Sequence, residues 1–70
     1  MQKAEILLHQ VERRICEAEC CITRQQMLIA KLERGGRTAA LAQARDLLTA
    51  TLAGLEASWA YRRALLLQRN

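Results

Sequence analysis

The chain contains no proline and no phenylalanine, and its aromatic residues are one tryptophan, Trp59, and one tyrosine, Tyr61. Without proline, nothing in the sequence forces a helix to break by ring clash or by loss of a backbone donor. With two aromatics, little is available to stack on nucleic-acid bases. Histidine occurs once, as His9. No apolar run approaches the roughly 20 residues that a membrane-spanning helix needs, and the start, MQKAEILLHQVERR, lacks the apolar core of a signal peptide. A soluble protein without membrane insertion is expected. Cysteine is sparse and clustered, with Cys16, Cys20 and Cys21 in one short stretch. A secreted disulfide scaffold spreads an even number of cysteines along the chain, so a reducing, cytoplasmic setting is expected instead.

What remains is mostly Ala, Leu, Arg, Gln and Glu, all strong helix formers, in a chain of 70 residues with a formal charge of +4. That length allows one domain, and such a chain buries only about 60% of the surface its unfolded form exposes. Chains of this size need disulfides, a metal, oligomerisation or near-ideal helix packing. The composition favours the last two.

The punctuation is Gly35-Gly36, midway along the chain. Glycine can take the left-handed conformation that closes a helix, and Arg34 places a cation in the preceding turn, where it suits the helix dipole. Thr38 is the expected N-cap of a second helix, although Leu41 at its third position forms no capping box. The expected organisation is one hairpin: helix over about 2–34, turn over about 35–37, helix over about 38–68.

In the first helix Leu8, Val11, Ile15, Ala18, Ile22, Gln25, Ile29 and Leu32 recur at alternating spacings of three and four, which makes a heptad seam. In the second, Leu41, Ala44, Leu48, Leu52, Leu55, Trp59 and Leu66 follow helical spacing with a drift between neighbouring rows. An antiparallel turn sets opposite one another positions whose numbers sum to about 73, so that Leu32 meets Leu41, Ile22 meets Thr51, Ala18 meets Leu55 and Ile15 meets Ser58. Away from the turn, large residues face small ones and the helices can interdigitate. Leu7, Met27, Leu28, Leu47, Leu65 and Leu67 are left on the flanks, an extent of apolar surface that marks a partner site. The expected fold class is all-α: an antiparallel two-helix hairpin that dimerises into a four-helix bundle. An unidentified protein partner is the other way to cover the same surface.

Gln25 is the polar member of the seam, and a buried amide at one heptad position fixes register at a cost in stability. It is expected to face Leu48 and, across a dimer axis, its own copy; the competing reading leaves the amide in water at the seam's edge.

The chemistry-bearing side chains are few. Cys16 and Cys20 lie one helical turn apart, but one helix can offer only two or three of the four ligands a structural zinc requires. The three thiols are read as small apolar side chains, with a metal shared across a dimer or an intersubunit disulfide as alternatives. His9 shares a face with Glu5, Glu12 and Cys16. Catalysis needs such groups inside a water-excluding pocket, and an open helix surface provides none. No enzyme, cofactor, metal or small-molecule substrate is therefore expected.

Hairpin folding brings Arg13 and Arg14 towards Arg62 and Arg63, with Lys31, Arg34 and Arg37 grouped at the turn, a distribution that could contact phosphates. Glu12, Glu17 and Glu19 interrupt the first group, which argues for a solvated face. Two readings result. The first is an oligomeric helical interaction or structural protein, acting by self-association and helix-mediated protein binding. The alternative is a small basic four-helix regulator that binds RNA.

The run Ile22, Gln25, Ile29, Leu32-Glu33, Gly36, Thr38, Ala44 and Leu47-Leu48, with an arginine-rich end closing in leucines, resembles a group of short bacterial helical-hairpin proteins with no assigned activity. The resemblance covers about the central half of the chain. It implies a bacterial source and supplies no catalytic residue. Gly35, where that group usually has a polar residue, and the three cysteines depart from its pattern.

Overall fold

The computed structural model describes residues 3–69. Two helices account for nearly all of them: α1, Lys3–Gly35, and α2, Thr38–Arg69. The expected start of the first helix at residue 2 lies outside the described residues.

The turn is tighter than the sequence suggests. Gly35 is still helical, and Gly36 alone takes the left-handed conformation, with φ of 68°. The Gly36 amide donates to the Glu33 carbonyl and the Arg37 amide to the Leu32 carbonyl, both at 3.4 Å. This pair of bonds is the Schellman closure, which occupies carbonyls that the end of a helix would otherwise leave open. The Leu41 amide then donates to the Arg37 carbonyl at 2.9 Å. Arg37 is therefore the N-cap of α2, and Thr38, expected in that role, is its first helical residue. The Schellman bonds complete the reversal one residue earlier than a cap at Thr38 requires. A Cβ on Gly36 would meet nothing within 4 Å, so glycine is required there by the backbone conformation and not by crowding.

The helices run antiparallel, and their contacts set the register. Leu8, Val11 and Leu65 form a buried cluster, with Leu7, Ile15 and Leu66 packed against it. Leu65 is 3% exposed, which corrects its expected place on the flank. Ala44 and Leu55 are buried as well. The remaining α1 seam residues, Ile15, Ala18, Ile22, Gln25, Ile29 and Leu32, are half-buried, as are Leu41, Leu48, Thr51 and Ser58 of α2. The seam of α2 is thus Leu41, Ala44, Leu48, Thr51, Leu55, Ser58, Arg62 and Leu65, a regular three-four alternation without drift.

Leu52 and Trp59, expected in that seam, lie one position beyond Thr51 and Ser58 and are 42% and 46% exposed. The correction has a packing cause. The row through Leu41, Ala44, Leu48, Leu55 and Leu65 faces α1, and its three-four continuation passes through Thr51 and Ser58, which leaves Leu52 and Trp59 one position outside the seam.

The hairpin is a rod, with extents of 51 × 15 × 11 Å and a radius of gyration of 15.9 Å. A globular chain of 70 residues would have a radius near 11 Å. Among the described residues no helix is long and apolar enough to cross a membrane.

Candidate interaction surface

Among the described residues, the seam contains one interhelical hydrogen bond between side chains. Gln25 Nε2 donates to Thr51 Oγ1 at 3.0 Å, and Thr51 Oγ1 donates to the Leu47 carbonyl at 3.0 Å, so the hydroxyl relays from the amide to the α2 backbone. Gln25 therefore faces the seam, and the reading that leaves its amide in water is corrected. Its bonded partner is Thr51 of the same chain. Gln25 Oε1 is buried with no hydrogen-bond partner. A buried orphan acceptor costs about 1–3 kcal/mol, more than one neutral hydrogen bond returns. Replacing Gln25 by leucine is expected to raise stability by about 1 kcal/mol through removal of that acceptor and addition of apolar contact. A thermal melt checks this, and a lower melting temperature would show that the bond to Thr51 outweighs the orphaned oxygen.

Ion pairs identify the two flanks of the seam. Glu33 Oε2 accepts from Arg45 Nη2 at 3.0 Å, and Arg62 Nε lies 3.8 Å from Glu12 Oε1, all four side chains being about half exposed. Such pairs contribute little to stability, about 0–1 kcal/mol, but they show which rows share a side. Glu5, Glu12, Glu19, Gln26 and Glu33 recur every seven residues along α1, and they share a flank with Arg45, Leu52, Trp59 and Leu66 of α2. Glu12, Glu19, Trp59 and Arg62 line one shallow depression there. The opposite flank carries Leu7, Arg14, Cys21 and Leu28 from α1 beside Leu47, Gly54 and Tyr61 from α2. The first flank is acidic with basic partners, whereas the rows of the second hold one charged residue, Arg14, and are bordered on α1 by Glu17, Arg24 and Lys31, of which Arg24 reaches Cys21.

The four arginines expected to cluster are all exposed but do not share a face. Arg62 sits in the seam row and reaches Glu12. Arg14 lies on the opposite flank, and Arg13 and Arg63 occupy the outer surfaces of their helices. Hairpin folding brings them to one end of the rod without making a stripe, because adjacent helical residues point about 100° apart.

Cys16 and Cys20 are exposed and Cys21 is half-buried; all three are free thiols. Arg24 Nη2 donates to Cys21 Sγ at 3.6 Å. Among the described residues no three of His, Cys, Asp and Glu are grouped so as to hold a metal ion. His9 is exposed and lines an open depression with Glu5, Leu8 and Glu12. No wall excludes water from it, so it supplies none of the preorganisation that acid–base catalysis requires.

Large apolar side chains are exposed on both flanks of the rod. Ile6, Met27 and Leu28 of α1 and Leu47, Leu52, Trp59, Tyr61 and Leu67 of α2 are large and exposed. Sequence reasoning named Met27, Leu28, Leu47 and Leu67 and missed Ile6, Leu52, Trp59 and Tyr61 as surface. The missed signal is the three-four count itself, which passes through Thr51 and Ser58.

No family model matches the chain, and neither a curated protein nor a solved structure matches it.

Proposed function

We propose that this chain is a helical interaction module whose working unit is a homodimer, two hairpins closing into a four-helix bundle. The observation that carries the reading is that α2 is apolar around most of its circumference. Ala44, Leu55 and Leu65 face α1, while Leu47, Leu52, Trp59, Tyr61 and Leu67 face outward. A helix apolar on all sides belongs in an interior. One neighbouring helix covers one side of it.

Surface area supports the same reading. The hairpin exposes 5533 Å², whereas a globular chain of 7.9 kDa exposes about 4,400 Å². The excess of about 1,100 Å² exceeds the roughly 800 Å² that each partner contributes to a standard stable interface. The chain acts in this reading by binding, without catalysis, cofactor or small-molecule substrate. The dispersed arginines give the nucleic-acid alternative no specific support. Light scattering at micromolar concentration is expected to return a mass twice 7.9 kDa. A well-folded particle of monomer mass would overturn the proposal.

A further inference from the structure

The two flanks of the hairpin are not equivalent as sites for a second copy. An interface core is depleted of charge. Closing the acidic flank would place Glu19 of each chain among apolar neighbours and bury Glu12 and Glu33 together with the arginines they hold. Closing the other flank buries Leu28, 47% exposed, Leu47, 57%, and Tyr61, 45%, with no carboxylate in its rows. Its cations are Arg14 and, at the border, Arg24 beside Cys21 and Lys31 beside Leu28, whose long side chains can keep their charged ends in water.

That second flank also varies along its length. Near the turn, Leu28 of α1 and Leu47 of α2 form an apolar end. At mid-rod, Cys21 lies level with Gly54, which has no side chain and where an added Cβ would meet nothing within 4 Å. Towards the free ends, Arg14 lies level with Tyr61. Two symmetric ways exist to lay one such face on another. A two-fold axis across the rod would set the apolar turn end of one hairpin against the Arg14–Tyr61 end of the other. An axis along the rod keeps like ends together and sets each α1 against the α2 of the other copy.

From this pattern, and resting on the homodimer reading above, we infer that a second copy of the chain docks on the Leu28–Cys21–Gly54–Tyr61 flank with the two turns at the same end. Leu28 of each copy then packs on Leu47 of the other. Cys21 enters the notch at Gly54, which lets the helices approach closely at mid-rod. Arg14 lies over the ring of Tyr61, an arrangement favourable to a cation on an aromatic face. Every neighbouring helix pair in this bundle is antiparallel, so each helix dipole opposes its neighbours.

The test uses the full chain. Leu28→Glu and Leu47→Glu are expected to raise the dimer dissociation constant at least about tenfold, whereas Leu52→Glu and Trp59→Glu leave it within about threefold. Gly54→Leu guards against misfolding as the explanation. It removes a mid-helix glycine, so helicity by circular dichroism should hold or rise while dimerisation weakens by a similar factor. Orientation is read from a spin label on Arg37→Cys in a chain whose native cysteines are replaced by serine. Turns at one end give a label separation under roughly 30 Å, about three helix diameters. Turns at opposite ends give a separation near the 51 Å rod length and overturn the orientation. Loss of dimer with Leu52→Glu and Trp59→Glu in place of the first pair overturns the choice of flank while the homodimer stands. A monomeric unsubstituted chain overturns the homodimer reading itself.

Discussion

Leu65→Ala should remove most of the stability of the fold, at a cost of about 3–5 kcal/mol. Leu65 is 3% exposed and closes the largest buried cluster, against Leu8 and Val11, which are 5% and 2% exposed. Truncation to alanine forfeits both the transfer energy of the lost methyl groups and the contacts around the cavity that remains, because Leu7, Ile15 and Leu66 are anchored on long helices and cannot collapse into it. A domain of this length has a total stability of roughly 4–10 kcal/mol, so the variant should sit near the edge of folding. Urea denaturation reads the effect as a fall in midpoint at unchanged slope. A loss below about 1 kcal/mol would place the core elsewhere. Ile22 and Leu48 offer a contrast within the same experiment. Both are half-buried within the hairpin, so the same truncation costs about 1–2 kcal/mol if the hairpin stands alone. A full core-sized loss at Ile22 and Leu48 is the mark of a covering second copy.

The melting temperature is expected to rise with protein concentration. If folding and association are one event, each tenfold increase in concentration adds about 1.4 kcal/mol to the stability of the dimer. For an assembly the size of two such chains this corresponds to a shift of about 3–5 °C per decade. Melts followed by circular dichroism over two decades in the micromolar range should therefore separate by about 6–10 °C. Superimposable melts would show that the hairpin is stable by itself and that the apolar flanks serve a different partner. The size of the shift follows from how little the single hairpin encloses. Its buried hydrophobic residues are Leu8, Val11, Ala44, Leu55 and Leu65 among those described, and the hydrophobic term from five side chains, one of them alanine, is small beside the entropy of ordering two long helices.

The two helices differed in how openly their sequences declared their packing. The eight seam positions of α1 could be read from spacing, because six of them, Leu8, Val11, Ile15, Ile22, Ile29 and Leu32, are aliphatic against a charged background, and Ala18 and Gln25 fall into the gaps of the same three-four count. In α2 apolar residues are in surplus. Leu52 and Trp59 look like better core residues than Thr51 and Ser58, yet the smaller pair faces α1 because the register that buries Ala44, Leu55 and Leu65 runs through it. The turn was visible as a glycine pair, but the sequence does not say which glycine is left-handed. The hydrogen bonds from Gly36 and Arg37 back into α1 decide that. The surface was legible as a quantity of uncovered leucine and not as a place, since the division into an acidic flank and an apolar flank depends on which row of α1 lies beside which row of α2. Only an interhelical contact such as Glu33–Arg45 supplies that pairing.

Gly36 also decides whether the two helices of one chain meet at all. Right-handed helical conformation at Gly36 and at the N-cap Arg37 would let α1 run on into α2 as one continuous helix of about 100 Å. Every seam contact, Leu8 with Leu65 and Gln25 with Thr51 included, could then form between two chains laid side by side in opposite directions. Such an exchanged pair has the same seam and the same mass as two separate hairpins, but leaves uncovered the flanks, with Leu28, Leu47 and Tyr61, that a docked pair of hairpins would bury. The free energy that separates the two forms resides in the hinge, in the left-handed glycine and the bonds that close it, in the flank contacts that only paired hairpins would make, and in the effective concentration that tethering provides. The conformation of these two residues thus selects between a hairpin and an extended rod twice its length.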